Sequence, residues 1–243
     1  YPYAIFLTVF YTEAPFLAAA SATLYHMRRG AEGDHAKACV LAMLATATRI
    51  TGLALLFPII LERILQRRAL DWQLLLAGPV VLPVGAFMLY AHARTGDSLA
   101  WFHIEVSESY GSRGLDWPWN GLRVTWDSAR SLPADQYGFI FTMEAFFGVL
   151  GVIIVAVQWL GTVWPFPRIA PSLALYSTGV LLPPICLTYW RSVPRYLMSM
   201  VPIYLLAADV LRNRESLRIG VLATSAALMA FGTFVLTSGR FLA

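Results

Sequence analysis

Four charged residues in an otherwise apolar sequence are candidates for chemistry: Glu13, Arg49, Arg191 and Arg195. Arg49 stands inside an apolar stretch, where a charged side chain is costly and therefore normally faces protein or a water-filled cavity. Guanidinium groups match phosphate oxygens through paired hydrogen bonds, so arginines that converge at membrane depth suit an anionic lipid head group. A carboxylate beside them would orient an arginine or act as a base. These residues predict an anion site.

Each position also has a purely structural interpretation. Glu13 would only complement the positive end of a helix dipole, and Arg49 would pair with an acid without binding a ligand. Arg191 and Arg195 would be ordinary charges at the end of a span. Surface or packing roles are the alternative for nearby ring-bearing side chains: His103, Trp117, Trp119 and Tyr196.

The composition indicates a helical membrane protein. The 243 residues are 58% hydrophobic and 13% charged, with a mean hydropathy of +0.62, whereas soluble domains average about 25% charged residues. The net charge of +4 therefore gives no nucleic-acid signal. Cys39 and Cys186 both stand in apolar runs outside any metal-ligand spacing, which argues against a disulfide or a structural metal site.

The stretch 36–68 has two possible arrangements. Ala36–Thr48 is 13 residues long, or about 20 Å as a helix, against about 30 Å of hydrocarbon. One long tilted helix would put Arg49 in mid-membrane, whereas a hairpin of two short helices would turn back at Arg49–Gly52. The hairpin gathers on the cytoplasmic side the basic residues Arg28, Arg29, Lys37, Arg63, Arg67 and Arg68. The positive-inside rule therefore favours the hairpin.

The rest of the chain predicts further spans around one polar loop. A helix follows Thr12 as N-cap and ends near Gly30, a natural C-cap. Later spans cover about residues 74–92, 139–160, 169–187, 194–211 and 219–236. The segment at about 94–137 is rich in acids and aromatic residues and is expected to be extracytoplasmic. We predict an all-α, polytopic single transmembrane domain over residues 1–243.

Three sequence segments together resemble a known family. FLTVFYTEAPFLAAASATLYHMRRG precedes ACVLAMLATATRITGLALLFPIILE, and SVPRYLMSMVPIYLLAA follows at 192–208. They are similar to the PIG-V type of GT-C membrane mannosyltransferases, with an outer YTE turn, a broken T-R-x-T-G run and a later P-R-Y segment. The resemblance implies a GT-C-like helical bundle that transfers mannose from a polyprenyl- or dolichyl-phosphate donor. The site would face the non-cytoplasmic side, in the bacterial plasma membrane or, in a eukaryote, the endoplasmic reticulum.

The resemblance also implies roles for individual residues. Arg49 would hold the lipid phosphate, Glu13 would line the pocket, and Arg195 with Tyr196 would complete its wall. The family's catalytic acid usually lies in the first outer loop, which here would precede Tyr1 in a longer protein. Membrane lipids and the lipid-linked donor are the expected partners; no cofactor is implied, and metal dependence stays open.

Two other functions are compatible with the same residues. A transporter or flippase of a lipid-linked anion would also use broken helices and buried arginines. A non-catalytic membrane subunit is the other possibility. The sequence carries no P-loop, dinucleotide fingerprint, zinc-protease motif or nucleophile elbow, so no nucleotide-sugar site is visible.

Overall fold

A computed structural model describes residues 1–8, 11–68, 70–107, 113–133, 138–164 and 168–237. Within these ranges the chain is all-helical and without strands, which confirms the predicted α class; a single antiparallel bridge joins Leu115 and Leu187. The first half comprises η1 (Ala4–Leu7), α1 (Glu13–Arg29), α2 (Asp34–Thr48), η2 (Ile50–Leu55), α3 (Leu56–Arg67), η3 (Trp72–Val81) and α4 (Leu82–Thr95). The second half comprises α5 (Ala100–Val106), α6 (Pro118–Ser131), α7 (Gly138–Val163), α8 (Pro171–Ile185), α9 (Val193–Ser199), α10 (Pro202–Leu211) and α11 (Glu215–Thr237).

Three of these helical segments are long and apolar enough to cross a membrane: Trp72–Thr95, Gly138–Val163 and Glu215–Val235. They match the spans predicted at 74–92, 139–160 and 219–236. The span predicted at 169–187 is the shorter helix α8. The segment predicted as a span over 194–211 is divided between the two helices α9 and α10. Pro202 has no N–H to donate to the carbonyl of Met198, which accepts instead from the Tyr204 hydroxyl at 2.9 Å.

Helix α1 packs along α2, and both present buried alanines to the core, so their backbones lie close. Gly30 ends α1 in the left-handed conformation, with φ of 64°, as predicted for a C-cap. Thr12 precedes α1, but its side chain makes no capping hydrogen bond. Its ψ of 3° is not the extended conformation that aims an N-cap side chain at the first turn.

The chain reverses between α2 and α3. Arg49 is extended, with φ of −151° and ψ of 136°, and η2 then leads into α3. Gly52 lies so close to the backbone of Ala45 and Thr46 that a Cβ atom there would collide with it. At the far end of α3, Glu62 accepts from Arg28 at 2.7 Å, so α3 returns to where α1 ends. This geometry is that of the predicted hairpin.

The polar segment at about 94–137 contains the two helices α5 and α6, rather than only loop. Helix α6 lies beside the start of α7, with which it makes its main contacts. Trp117 and Trp119 stack at 5.0 Å between ring centroids, and both are exposed. Three of the acidic and aromatic residues in this segment, Glu108, Tyr110 and Asp135, lie outside the described residues.

Candidate functional site

Glu13, Arg49 and Arg195 meet in one place, which we call the Glu13 cluster. Glu13 is fully buried, and its Oε1 atom accepts hydrogen bonds from Arg49 and from Arg195. The Nε atom of Arg195 also donates to this oxygen, at 3.0 Å. The two arginine side chains are each 14% exposed. Residues that stand 36 and 182 positions from Glu13 thus share one carboxylate oxygen.

Aromatic rings also contact the two guanidinium groups. The Arg195 guanidinium lies 4.5 Å from the ring centroid of Phe6 and 4.6 Å from that of Tyr11. The Arg49 guanidinium lies 5.6 Å from the ring of Tyr196. Such contacts attract the cation to the negative face of the ring. The four residues predicted to bind substrate, Glu13, Arg49, Arg195 and Tyr196, therefore lie together, although their roles stay predictions.

Three separate breaks in helical structure place the charged side chains. Glu13 is the first residue of α1, where its charge complements the helix dipole. Arg49 is the residue between α2 and η2, and its backbone is extended. Arg195 lies in the first turn of α9, just after Ser192 in the left-handed conformation. Because helix ends meet at this point, the cluster combines residues that no single helix could hold.

The Glu13 cluster carries an excess of positive charge. Arginine stays protonated in proteins, so two guanidinium groups and one carboxylate leave one net positive charge. Each guanidinium also has five N–H donors, more than the contacts to Glu13 use. The arrangement is therefore suited to binding a monoanion or a phosphate group.

A cavity of about 330 Å³ opens beside Arg49. Its other walls are mainly apolar and include Ile50, Pro83, Val84 and Phe87. A second cavity, of about 690 Å³, adjoins it, because Ile50 and Trp101 line both. The polar side chains of this second cavity are those of Thr51, Glu105, Arg113 and Tyr196. Both volumes lie in the usual range of ligand pockets, about 300–1,000 Å³.

Other candidate residues lie outside the cluster. Arg191 lines a different cavity, of about 340 Å³, together with Glu144. His103 is exposed and contacts Asp97 at 2.6 Å, which agrees with its interpretation as a surface residue. The pKa of Asp97 is lowered, first by the Leu99 backbone N–H and then by His103. Glu105 pairs with Arg113 at 3.5 Å in the second cavity.

Sequence reasoning missed the roles of Phe6, Tyr11 and Glu144. The two rings gave no signal, because aromatic residues are frequent along the whole chain. Glu144 gave one: it is an acid inside an apolar run, and such residues usually have a specific partner. Its partners are the backbone N–H groups of Ser192, at 2.7 Å, and Val193, at 2.8 Å.

Within the described ranges, no group of three or more metal-ligating side chains is present. Cys39 is a buried free thiol and Cys186 a partly buried one. The described residues thus offer no preformed metal centre, and metal dependence stays open.

A second polar cluster lies at the other end of α1, and we call it the Asp34 network. It pairs three arginines with three carboxylates: Arg28 with Glu62, Arg29 with Asp34, and Arg63 with Asp71. Asp34 also accepts from the Ala31 N–H at 3.0 Å and contacts His26 at 2.9 Å.

Hydrogen bonds from arginines favour the ionised form of two acids in the Asp34 network. Those from Arg29 hold the pKa of Asp34 well below its usual range, and those from Arg63 lower the pKa of Asp71. Asp34 and Asp71 therefore face their arginines in the ionised form, and the network as a whole pairs three arginines with three carboxyl groups.

Comparisons of the chain with protein families, with curated proteins and with solved structures give no match.

Proposed function

We propose that this chain is an integral-membrane glycosyltransferase. It would take a sugar, mannose by resemblance, from a polyprenyl-phosphate-linked donor and transfer it to a lipid or glycan acceptor. One observation carries the proposal: two arginines share one buried carboxylate oxygen beside an apolar cavity, which leaves a positive charge for an anionic lipid.

In this proposal the donor phosphate binds at Arg49, which lines the 330 Å³ cavity, and Arg195 supplies the second positive charge. The prenyl chain follows the apolar wall formed by Pro83, Val84 and Phe87. An acceptor oxygen attacks the anomeric carbon, the bond from that carbon to the phosphate oxygen breaks, and polyprenyl phosphate leaves. The guanidinium groups stabilise the charge that builds on the leaving phosphate.

Glu13 has an orienting role in this scheme. Two guanidinium groups beside Glu13 favour its ionised form and make it a weak base, so Glu13 is better suited to hold the arginines than to take the proton. The proton of the acceptor hydroxyl passes to a separate carboxylate, which acts as the base. By resemblance, the acidic residue of the family's first outer loop would fill this role.

The proposed topology puts the Glu13 cluster at the non-cytoplasmic interface and the Asp34 network at the cytoplasmic one. Helix α1 has 17 residues and is therefore about 25 Å long, so its two ends are one short span apart. The arginine-rich ends of α1 and α3 then lie inside, as the positive-inside rule requires.

Binding of the lipid phosphate is the first test. The chain is reconstituted in lipid nanodiscs and titrated with a photoreactive polyprenyl phosphate, with the neutral polyprenol as reference. We expect saturable labelling by the phosphate only, reduced at least tenfold in Arg49→Ala and Arg195→Ala, since each removes a charge-assisted contact. Arg218→Ala is the matched control, because Arg218 is exposed on α11 and lies 3.9 Å from Glu215.

Transfer is the second test. Membranes that contain the protein are given polyprenyl-phosphate-linked radiolabelled mannose, and lipid and protein fractions are assayed for label. Transfer that depends on Arg49 supports the enzyme. Phosphate binding without transfer favours the transporter or the non-catalytic subunit, and a flipping assay in liposomes separates those two. Equal labelling by the phosphate and by polyprenol would refute the anion site itself.

A further inference from the structure

Helix α9, which carries Arg195, has only seven residues and needs an external support. Ser192 precedes it with φ of 63°, a left-handed conformation that residues other than glycine rarely adopt. Such a conformation persists only where the surrounding contacts impose it. The position of Arg195 therefore depends on what holds Ser192 and Val193.

Glu144 of α7 supplies that support. Its side chain is almost fully buried, and its two oxygens accept hydrogen bonds from successive backbone N–H groups. Oε1 accepts from Ser192 at 2.7 Å, and Oε2 accepts from Val193 at 2.8 Å. A buried carboxylate that accepts two backbone hydrogen bonds fixes both the position and the direction of the segment it binds.

The residues just before Ser192 dock on the same helix. Trp190 packs against Gly148, one turn after Glu144, where no Cβ atom would fit beside the indole. The Trp190 N–H donates to the hydroxyl of Thr125 at 2.7 Å, and its indole N–H donates to the Ile185 carbonyl at 2.9 Å. Helices α6 and α7 thus hold residues 190–193, two residues before Arg195.

A carboxylate is required here for a chemical reason. Both partners are N–H donors, and each uses a different oxygen of Glu144. A glutamine would offer one oxygen and would turn an NH₂ group toward the other N–H. One hydrogen bond would be lost and a donor would face a donor, so the clamp would loosen while the side chain kept its size.

We infer that Glu144 is a positioning residue: by clamping the start of α9, it holds Arg195 against Glu13 and so keeps the anion site assembled. The mechanical part of this inference is independent of the proposed function. Its consequence for lipid binding rests on the proposed function, and the experiment treats the two separately.

The mechanical test measures how fast Arg195 reacts with an arginine-specific dicarbonyl reagent, followed by mass spectrometry on the folded protein in detergent. In Glu144→Gln we expect Arg195 to react several-fold faster than in the wild type. Arg28, at the other end of α1, serves as the internal reference and keeps its rate. Gln158→Leu is the matched control, since Gln158 is also buried on α7 but lies 14 residues from Glu144.

In a variant that stays folded, an equal rise in the reactivity of Arg195 and Arg28, or no change at Arg195, would overturn the inference. If Glu144→Gln does not fold, Thr125→Val replaces it, because this variant removes the acceptor of the Trp190 N–H in the same segment. The expected rise at Arg195 is then smaller, and its absence would overturn the inference equally.

The binding test is a double-mutant cycle with the photoreactive polyprenyl phosphate. We expect Glu144→Gln to weaken binding about tenfold, the loss of one hydrogen bond to a charged group. In an Arg195→Ala background it should have no further effect, because its action passes through Arg195. Additive losses would contradict a positioning role. If Arg195 reactivity rises but the wild type binds no polyprenyl phosphate, the clamp stands and the proposed function fails.

Discussion

The two ends of α1 carry the same kinds of residues but differ in their charge balance. The Asp34 network joins three arginines to three carboxylates, so each charge has a partner. The Glu13 cluster joins two arginines to one carboxylate oxygen, and a cavity opens beside it. In the Asp34 network each arginine has a carboxylate partner, so no charge remains for a ligand. In the Glu13 cluster one positive charge is not balanced, and it lies beside a cavity. The difference separates a structural role from a binding role more clearly than residue type does.

Exposure separates Arg28 from the arginines of the Glu13 cluster, although Arg63 in the Asp34 network is also buried, with 9% of its side chain exposed. Arg28 in the Asp34 network is 48% exposed, so water can solvate it if its partner is removed. Arg49 and Arg195 are each 14% exposed and depend on Glu13 and on the surrounding rings. Arg49 and Arg195 therefore depend more on their carboxylate partner than Arg28 does.

The largest expected effect is that of Glu13→Ala. It leaves two largely buried guanidinium groups without their shared carboxylate, and breaking such a buried pair costs about 3–5 kcal/mol. Unfolding in a denaturing detergent, followed by tryptophan fluorescence, measures this loss. Polyprenyl phosphate should restore part of it, because its phosphate would replace the missing negative charge.

Glu62→Ala is the corresponding change in the Asp34 network. Its cost should be smaller, because Arg28 reaches water, and polyprenyl phosphate should not restore it. Equal restoration of both variants by the lipid would remove the distinction between the two clusters.

The second effect concerns the turn that presents Arg49. Gly52→Ala places a Cβ atom against the backbone of Ala45 and Thr46, which cannot yield as a flexible side chain would. We expect a loss of about 1–3 kcal/mol in the free energy of unfolding, together with weaker lipid-phosphate binding. Gly78→Ala is the control, since no described atom lies within 4 Å of its added Cβ. A neutral Gly52→Ala would show that the turn can relax without moving Arg49.

A third effect concerns a buried polar side chain that belongs to neither cluster. Gln158 is fully buried on α7, and neither amide atom has a partner among the described residues. Gln158→Leu should therefore stabilise the fold by about 1 kcal/mol, because an unsatisfied buried amide is replaced by an apolar side chain. The same unfolding assay measures the change. Destabilisation of similar size would reveal a partner that the amide requires.

The smallest effect near neutral pH belongs to the acids of the Asp34 network. The pKa of Asp34 is lowered in the fold by Arg29, so its stabilising contribution is present above its unfolded pKa, about 3.9. That contribution is lost as the pH falls through the lower, folded pKa. Asp34 should therefore leave the melting temperature nearly unchanged between pH 7 and pH 5. At pH values under about 4 the melting temperature should decrease. The fall should be shallower in Asp34→Asn; an identical fall would assign it to other acids.

Local patterns were enough to predict the α class and to name Glu13, Arg49 and Arg195 as candidates. Low charge content and long apolar runs predict helices that can cross a membrane, because only satisfied backbones tolerate hydrocarbon. An arginine in an apolar run must face something polar, and this cost alone singled out Arg49. The reversal at Gly52 followed from the length of the two arms and the distribution of basic residues.

Only the tertiary structure decided which charges meet. Arg191 and Arg195 are equivalent by sequence, yet Arg195 joins Glu13 while Arg191 lies beside Glu144. The direction of each side chain depends on the left-handed residue Ser192 and on its clamp by Glu144, a contact across 48 residues. The sequence shows which charged residues stand in apolar runs, where burying the charge has a high free-energy cost. Charge balance depends on distances of a few ångströms between separate helices, and packing alone determines those.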